Sequence, residues 1–255
     1  MEFSNRTDGV KIIGVIPSRF ASTRFPGKPL CDICGKTMIQ RVYERASEAR
    51  HLDGVIVATD DERIFKEVRS FGGEVSMTSE SHPDGTSRVA ETVRDIDCDI
   101  VINIQGDEPF IDPSMIDETA SLLISNPDVP ASTLAFVLQD HEDVEDPNMV
   151  KVVRDLKGKA LYFSRSPIPF MRYQIGAEYL GHIGIYGYRK AFLEEIVRLP
   201  ATPLSSAESL EQLKILEKGY DILVGVTSSL RLGPGIDTPE DLEKARAFCS
   251  EGQNL

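Results

Sequence analysis

The sequence predicts an α/β fold, with a mostly parallel central sheet and an inserted antiparallel arm. Through the first half of the chain, apolar runs that suit buried strands alternate with segments of helical periodicity, which is typical of a parallel sheet covered on both faces. After about Asn126, strand-like runs follow one another with only short polar connections. This second pattern indicates antiparallel pairing, because antiparallel strands need no long crossover between them.

The individual elements are predicted from apolar spacing and from capping residues. In the first half we expect strands at 11–17, 54–59, 74–78 and 99–105, and helices at 38–50, 61–71 and 86–96. A further helix begins at Pro113, with Asp112 as its cap. In the second half we expect strands at 132–138, 150–154, 160–164, 181–188 and 220–227, and helices at 191–198, 207–218 and after Thr238.

These elements are expected to form one domain over residues 11–250, with the inserted antiparallel region at about residues 145–190. A chain of this length with 41% hydrophobic residues is large enough to bury a full core. Residues 1–10 are polar and are expected to form a flexible extension.

The charge of the chain limits what it binds. The 255 residues include 41 acidic and 28 basic side chains, for a formal net charge of -13. Such a surface repels nucleic acid and anionic lipid, so we expect neither nucleic acid nor membrane as a partner. An anionic substrate would need a local cluster of Lys and Arg, helped by a cation. The sequence shows no signal peptide and no apolar run of membrane length, which favours a reduced, cytoplasmic protein.

Two of the four cysteines, Cys31 and Cys34, have Cys-x-x-Cys spacing. This spacing occurs in zinc and redox sites, but a zinc site needs further Cys or His ligands, and no second pair follows. We therefore interpret the pair as chance occupancy of a loop and turn.

A basic segment follows the first predicted strand directly. Within ten residues it contains Arg19, Arg24 and Lys28, and its small residues, among them Ser22, let backbone amides approach a ligand. Three cations at the carboxyl end of a strand suit a triphosphate. A solvated basic loop is the alternative, and the acidity of the rest of the chain argues against it.

Two carboxylates are candidates for a magnesium site. Asp107 follows the strand predicted at 99–105, where a carboxylate can hold Mg²⁺ against phosphates, although an ordinary Asp-containing turn is the better interpretation of this residue alone. Asp237 precedes the final helix, where helix capping is an equally good interpretation. Asp237 becomes a metal candidate only if it meets Asp107 in space.

Two further regions carry polar side chains without a clear assignment from physics alone. The turn at 82–88 leads into a helix, and its backbone and Arg88 could read a base edge, or Arg88 could simply be a surface residue. In the antiparallel region, His182 and Tyr186 lie at i and i+4 of a strand and hence on one face.

Taken together, these stretches resemble one family, the 3-deoxy-D-manno-octulosonate (Kdo) cytidylyltransferases, also called CMP-Kdo synthetases. The matching pieces, in the family's order from about Lys11 to Arg246, are IPSRFASTRFPGKPL, VATDDERI, GGEVSMT, DGTSR, INIQGDEPFI, KALYFSRSPIPF, GHIGIYGYR, ESLEQLKILEKG and GIDTPEDLEKAR. Any one of these pieces is weak, whereas all of them in order are highly specific.

The resemblance implies a Rossmann-like nucleotidyltransferase fold, usually a homodimer through the antiparallel arm. It implies an Mg²⁺-dependent reaction of CTP with Kdo that gives CMP-Kdo, for lipopolysaccharide biosynthesis, and pyrophosphate. The catalytic residues would be Arg19, Lys28, Asp107 and Asp237, with Asp107 and Asp237 as metal ligands. Nucleotide-binding residues would be Ser18, Arg19, Ser22, Arg24, Lys28, Thr86, Arg88 and Gln105. Residues around the sugar acid would be Gln105, Arg165, His182, Tyr186, Glu208 and Gln212.

The sequence departs from the family pattern at three places. Ser18 stands at a position that is usually Ala, and Ser87 replaces an acidic residue, for which Asp84 could compensate. Met171 stands where many relatives carry a charge, at the rim of the sugar pocket. The alternatives are therefore a cytidylyltransferase for another 2-keto sugar acid, such as 8-amino-Kdo or a sialic acid, and a catalytically silent nucleotide-binding protein on the same fold.

Overall fold

A computed structural model of the protein describes residues 9–21, 25–173, 176, 178–229 and 233–252. Its strands are β1 (Ile12–Ser18), β2 (Asp32–Ile33), β3 (Lys36–Thr37), β4 (Gly54–Thr59), β5 (Val75–Met77), β6 (Ile100–Asn103), β7 (Ala131–Val137), β8 (Lys151–Arg154), β9 (Ala160–Ser164), β10 (Leu180–Arg189) and β11 (Ile222–Val226). Its helices are α1 (Met38–Ser47), α2 (Glu62–Ser70), α3 (Gly85–Val93), α4 (Pro113–Ser125), α5 (His141–Glu145), α6 (Lys190–Ile196), α7 (Pro203–Glu208), α8 (Gln212–Glu217) and α9 (Pro239–Gly252), with a 3₁₀ turn at Lys28–Leu30.

The chain divides into two compact units, one formed by residues 1–117 and 229–255 and the other by residues 118–228. The expected single domain over 11–250 stays a prediction. The extension expected at 1–10 lies outside the described residues up to position 8. Among the described residues, no helix combines the length and the apolar character needed to cross a membrane.

The first unit contains four parallel strands in the order β6-β1-β4-β5. Gly14 in β1 pairs with Val55 of β4 on one side and with Ile102 of β6 on the other. Successive residues of β1, including Val15 and Ile16, are fully buried, so both faces of this strand are covered. The predicted parallel sheet is confirmed.

Short polar side chains begin the helices of this unit, and the caps Asp112 and Thr238 are those that the sequence predicts. Thr37 accepts the amide of Gln40 at the start of α1, and Asp61 accepts the amide of Arg63 at the start of α2. Asp112 accepts the Ser114 amide at 2.9 Å at the start of α4. Thr238 accepts the Asp241 amide at 3.2 Å at the start of α9. Each cap satisfies an amide that the helix cannot pair internally, which fixes where the helix begins.

The second unit is mainly antiparallel. β10 pairs antiparallel with β7 and β8, and β8 pairs antiparallel with β9, whereas β11 runs parallel to β7. A register shift between Ile183 and Tyr186 interrupts the pairing of β10 with β7. The predicted antiparallel strands are therefore confirmed.

One predicted helix of the second unit is wrong. Instead of a single helix at 207–218, the structure has two short helices, α7 and α8. The first begins earlier, because Thr202 and Ser205 form a capping box and Pro203 occupies the first helical turn. It ends at Ser209, whose φ of 52° is left-handed and cannot continue a right-handed helix.

Candidate functional site

A cavity of about 360 Å³ in the first unit includes the carboxyl end of β1 and the segment that follows β6. Open parallel sheets bind ligands at such carboxyl ends. The lining residues are Pro17, Ser18, Arg19, Ala21, Lys28, Pro29, Met38, Gln105, Gly106 and Asp107. The structure thus gathers five of the site residues expected from the sequence around one cavity: Ser18, Arg19, Lys28, Gln105 and Asp107.

A glycine allows the two strand ends to approach each other at this cavity. A Cβ atom on Gly106 would lie 2.9 Å from the Pro17 carbonyl oxygen, a distance that real Cβ atoms do not adopt. Any side chain at position 106 would therefore push the segment Gln105–Asp107 away from β1. The small residue sets the distance between the basic segment and Asp107.

The basic segment folds back on itself through Gly27. Its amide donates to the Phe20 carbonyl at 2.9 Å, and its φ of 75° is left-handed. The Arg19 guanidinium, one of the cavity-lining groups, donates to the His82 carbonyl at 2.8 Å and so joins this segment to the turn at 82–88. Ser22 and Arg24, both expected to bind nucleotide, lie outside the described residues.

Lys28 brings the two metal candidates together. Its ammonium lies 3.1 Å from Asp107 Oδ2 and 3.1 Å from Asp237 Oδ1, and it donates to the Ile236 carbonyl at 2.6 Å. The Ile236 amide in turn donates to the Asp107 carbonyl at 3.0 Å. Asp237 thereby meets the condition set by the sequence, that it should meet Asp107 in space.

The chemistry of this pair fits a divalent cation. Two carboxylates beside one another repel unless a positive charge lies between them, and the Lys28 ammonium provides that charge here. The side chains of Asp107 and Asp237 are 36% and 48% exposed, so both can reach a ligand in solution. Mg²⁺ is commonly bound by one or two carboxylates together with substrate phosphates. Within the described residues no cluster of three or more His, Cys, Asp or Glu side chains is arranged to hold a metal, so such a site would need substrate oxygens or water.

Ser18, at the end of β1, lines the cavity and carries a hydroxyl without a hydrogen-bond partner among the described atoms. The residue itself is buried. A buried hydroxyl without a partner costs free energy, so its presence at a cavity wall suits contact with a ligand.

The turn at 82–88 is built around a helix cap. Asp84 accepts the Ser87 amide at 2.7 Å, and the Ser87 hydroxyl donates to the Asp84 carbonyl at 3.0 Å. Thr86 lies in the first turn of α3. The Asp84 carboxylate is therefore engaged in capping α3. If it replaces the acidic residue usually found at position 87, it must contact the nucleotide while it also accepts the Ser87 amide.

Arg88 is not a surface residue, so that alternative for it is wrong. Its side chain is fully buried, and its guanidinium donates to the Asp60 carboxylate and to the Thr78 hydroxyl. Asp60 follows β4 and Thr78 follows β5. Arg88 therefore ties α3 to the carboxyl ends of two neighbouring strands, because a buried guanidinium must be paired.

In the second unit, Arg165 and Glu208 contact each other. The Glu208 carboxylate accepts the Ser164 hydroxyl at 2.7 Å and the Arg165 amide at 2.9 Å, and the Arg165 Nε donates to the Glu208 carbonyl at 2.7 Å. Burial acts to raise the pKa of Glu208, but these hydrogen bonds, with one from Tyr162, lower it overall. Gln212, at the start of α8, is buried.

His182 and Tyr186 contact each other in β10, as their spacing predicts. Their ring centroids are 5.4 Å apart, and His182 also packs edge-on against Phe163 at 5.1 Å. The His182 Nε2 lies 3.0 Å from the Thr133 hydroxyl. Burial among these groups lowers the pKa of His182 to about 3 and raises the pKa of Tyr186 well above its usual value. Both side chains are therefore uncharged at neutral pH.

Some contributors to the site were missed from the sequence. The Ile236 carbonyl holds Lys28, and Asp60 and Thr78 hold Arg88, but no motif marks a backbone oxygen or a partner that is remote in sequence. Gly106 could have been found, because a glycine that directly follows a strand indicates close backbone approach.

Comparison with known proteins gives consistent matches. A family model described as cytidylyltransferase matches residues 13–222. The 3-deoxy-manno-octulosonate cytidylyltransferase of Syntrophotalea carbinolica is 50% identical over 247 residues, which covers 93% of this chain and 98% of that protein. The enzyme of the same name from Solibacter usitatus is 51% identical over 235 residues, which covers 92% of each chain.

Solved structures match over nearly the whole chain. A CMP:2-keto-3-deoxy-manno-octonic acid synthetase in complex with CTP aligns with a TM-score of 0.90 at 44% identity, over 96% of this chain and 100% of that chain. A 4-diphosphocytidyl-2C-methyl-D-erythritol synthase from Anaerococcus prevotii aligns with a TM-score of 0.62 at 16% identity, over 95% of this chain and 100% of that chain, a likeness of fold alone. The predicted nucleotidyltransferase fold is confirmed.

Proposed function

The chain belongs to the 3-deoxy-manno-octulosonate cytidylyltransferase family, and on that basis we propose that it transfers CMP from CTP to the anomeric hydroxyl of Kdo. The products are CMP-Kdo, which would serve lipopolysaccharide biosynthesis in the cytoplasm, and pyrophosphate. One observation carries the proposal: the Lys28 ammonium donates to both Asp107 and Asp237. Lys28 and Asp107 line a cavity at the carboxyl end of the parallel strand β1.

The cavity of the first unit accommodates the nucleotide in this proposal. Arg19 and Lys28, with Ser22 and Arg24 of the same segment, bind the triphosphate. Ser18, Gln105 and the first turn of α3 around Thr86 face the cytidine. The buried Arg88 positions that turn through Asp60 and Thr78, rather than through exposure of its own guanidinium. The Ser18 hydroxyl, which has no hydrogen-bond partner among the described atoms, belongs to a residue that lines this cavity.

The reaction is an in-line displacement at the α-phosphorus. The anomeric oxygen of Kdo forms a bond to phosphorus as the bond to the bridging oxygen of pyrophosphate breaks, and the hydroxyl proton leaves to solvent. The chain contributes mainly positioning and charge. Lys28 stabilises negative charge on the phosphate oxygens, and Arg19 holds the polyphosphate. His182 is not suited to act as a general base, because its pKa, lowered to about 3 by burial, makes the imidazole a weak proton acceptor at neutral pH.

Asp107 and Asp237 are proposed to hold Mg²⁺. When bound, this ion supplies Lewis-acid polarisation of the phosphate that is attacked and charge for the departing pyrophosphate. Lys28 must then leave at least one carboxylate, and its flexible side chain can turn to the phosphate oxygens. The two carboxylates repel each other, so a cation near both of them lowers the energy. In the free protein the Lys28 ammonium provides that charge.

Arg165, His182, Tyr186, Glu208 and Gln212 of the second unit are proposed to bind the sugar acid. Arg165 suits a carboxylate, because a guanidinium pairs with it through two parallel hydrogen bonds. The amide hydrogen bond from Arg165 to Glu208 and the ring contact of His182 with Tyr186 hold these side chains in fixed positions. Neutral His182 and Tyr186 suit the uncharged hydroxyls of a sugar.

We also propose a homodimer formed through the antiparallel region at about residues 145–190. Exposed apolar side chains of that region, Leu156, Leu161 and Phe170, support such an interface. The molar mass in solution, measured by light scattering, tests this proposal: twice the chain mass is expected, and a monomer at all concentrations would contradict it.

The acceptor is tested by pyrophosphate release from CTP with a panel of 2-keto acids, with and without Mg²⁺. Release is expected with Kdo and to depend on Mg²⁺. Release with 8-amino-Kdo or a sialic acid in preference to Kdo would overturn the acceptor assignment. CTP binding without release for any acid would indicate a catalytically silent protein.

A further inference from the structure

Cys34 packs against the apolar cluster that contains Cys249, although 214 residues separate the two cysteines in sequence. Cys249 is one of the buried residues of that cluster, with Ile33, Met38 and Leu242, and the partly buried Cys34 packs against them. Cys34 lies in the turn of the β2–β3 hairpin, and Cys249 lies near the end of α9. The Cys-x-x-Cys partner Cys31 is directed elsewhere, with its thiol 3.9 Å from the Gly27 carbonyl.

Several contacts hold this hairpin turn against α9. The Cys34 sulfur lies 3.6 Å from the Arg246 carbonyl and 3.5 Å from the Ser250 hydroxyl. Positions 246, 249 and 250 share one face of a helix, so Cys34 faces the turn of α9 that carries Cys249. The Arg246 guanidinium also donates to the Asp32 carbonyl at 3.0 Å. The hairpin turn with Cys34 is thus held against the helix with Cys249 by the Arg246 hydrogen bond and by apolar packing as well as by the sulfur contacts.

We propose that Cys34 and Cys249 form a reversible disulfide under peroxide, with Cys34 as the attacking thiol and Cys249 as the resolving thiol. The Cys34 thiolate attacks one oxygen of hydrogen peroxide, the O–O bond breaks, and after uptake of a proton water and a sulfenic acid result. The Cys249 thiol then attacks the Cys34 sulfur, a second water leaves, and the S–S bond forms. Sulfur is oxidised and peroxide is reduced, and a dithiol reverses the change.

The roles of the two thiols follow from their surroundings. Cys34 is half-exposed, and hydrogen bonds with Ser250 and then with Cys249 lower the pKa of its thiol. Cys249 is buried, and that burial raises the pKa of its thiol. Peroxide reacts with thiolate rather than with thiol, so Cys34 is oxidised first.

The link would join two segments that lead away from the catalytic groups. The hairpin follows the 3₁₀ turn that begins at Lys28, and α9 begins two residues after Asp237. This inference does not depend on the proposed reaction, since it concerns only the thiols and their oxidant.

Peptide mapping under non-reducing conditions tests the proposal on the full chain. After mild hydrogen peroxide treatment, the intact mass should fall by two hydrogen atoms, and a peptide with Cys34 should be linked to a peptide with Cys249. The same treatment in urea should give mixed pairings, because the fold no longer selects the partner. A Cys31–Cys34 link in the folded protein, or no link between Cys34 and Cys249, would overturn the proposal.

Two variants sharpen the test. In Cys249→Ala, oxidation should stop at a Cys34 sulfenic acid that a cyclic 1,3-dione traps, whereas the matched variant Cys31→Ala should still form the link. Oxidised wild-type protein should also unfold at a temperature roughly 5–10 °C higher than reduced protein, since the link closes a very long loop. An equal shift in Cys249→Ala would contradict the assignment.

Discussion

The Lys28 ammonium lies 3.1 Å from Asp237 Oδ1, although the two residues are 209 positions apart in the chain. The same ammonium lies 3.1 Å from Asp107 Oδ2. A cation from the basic segment after β1 therefore neutralises two carboxylates that come from different parts of the chain. In a protein of net charge -13, this arrangement assembles the charges that a triphosphate and its metal require.

Replacing either carboxylate by its amide should slow turnover strongly while the fold remains. Asp107→Asn and Asp237→Asn are each expected to lower the rate of pyrophosphate release by roughly 10²-fold or more, because the metal loses an anionic ligand. Circular dichroism should be unchanged. Asp97→Asn is the matched control, since that side chain is 99% exposed and forms an ion pair with Lys11, at the opposite end of β1 from the cavity. Near-normal turnover in either site variant would contradict the metal assignment.

Removing the Lys28 charge should strengthen divalent-cation binding to the free protein. In Lys28→Met the two carboxylates lose their ammonium partner, so Mn²⁺ added without nucleotide should bind at least about tenfold more tightly. Electron paramagnetic resonance of free Mn²⁺ measures this directly, without turnover. The double variant Lys28→Met/Asp107→Asn should lose the gain. Weaker Mn²⁺ binding in Lys28→Met would mean that the lysine ammonium and the metal ion do not compete for the two carboxylates.

The buried Arg88 should be essential for stability. Arg88→Met leaves the Asp60 carboxylate without its partner, and we expect a loss of about 3–5 kcal/mol in the free energy of unfolding. Urea denaturation measures this loss. Arg63→Met, which removes an exposed guanidinium paired with Asp61, should unfold at nearly the wild-type urea concentration. Equal midpoints for the two variants would argue against a buried bridge at Arg88.

The lowered pKa of His182 should make stability depend on pH. The folded protein holds His182 neutral down to a pKa of about 3, whereas the unfolded chain takes up a proton near its usual pKa of about 6.5. This contribution is full above about pH 6.5, and it declines as the pH falls toward 3, by up to about 1.4 kcal/mol per pH unit. Urea unfolding at several pH values should show a smaller slope for His182→Gln than for the wild type. Identical slopes would show that His182 is not buried in this way.

Much of the fold could be predicted because the signals are local. Alternating apolar runs give the strands of both units, and Asp112 and Thr238 mark the starts of their helices. The helix expected at 207–218 was wrong because the left-handed conformation of Ser209 depends on context rather than on its own propensity. Boundaries such as Val75–Met77, shorter than expected, likewise depend on where pairing with a neighbouring strand ends.

The site was predictable only in part, because some of its contacts join residues that are remote in sequence. The basic segment and Asp107 each follow a strand, so their neighbourhood could be expected from the topology of a parallel sheet. The contact of Lys28 with Asp237 depends on how the chain returns after residue 228, which no spacing reveals. Arg88 was named from the sequence, but its burial was not predicted, because its partners Asp60 and Thr78 follow two other strands.

The measurement that tests the central claim most directly is identification of both products from CTP and Kdo by mass spectrometry and phosphorus NMR. CMP-Kdo and pyrophosphate should form in equal amounts with the wild-type protein, and both should form at a rate lower by roughly 10²-fold or more with Asp237→Asn. Free CMP in place of CMP-Kdo, or no product although CTP binds, would contradict the account.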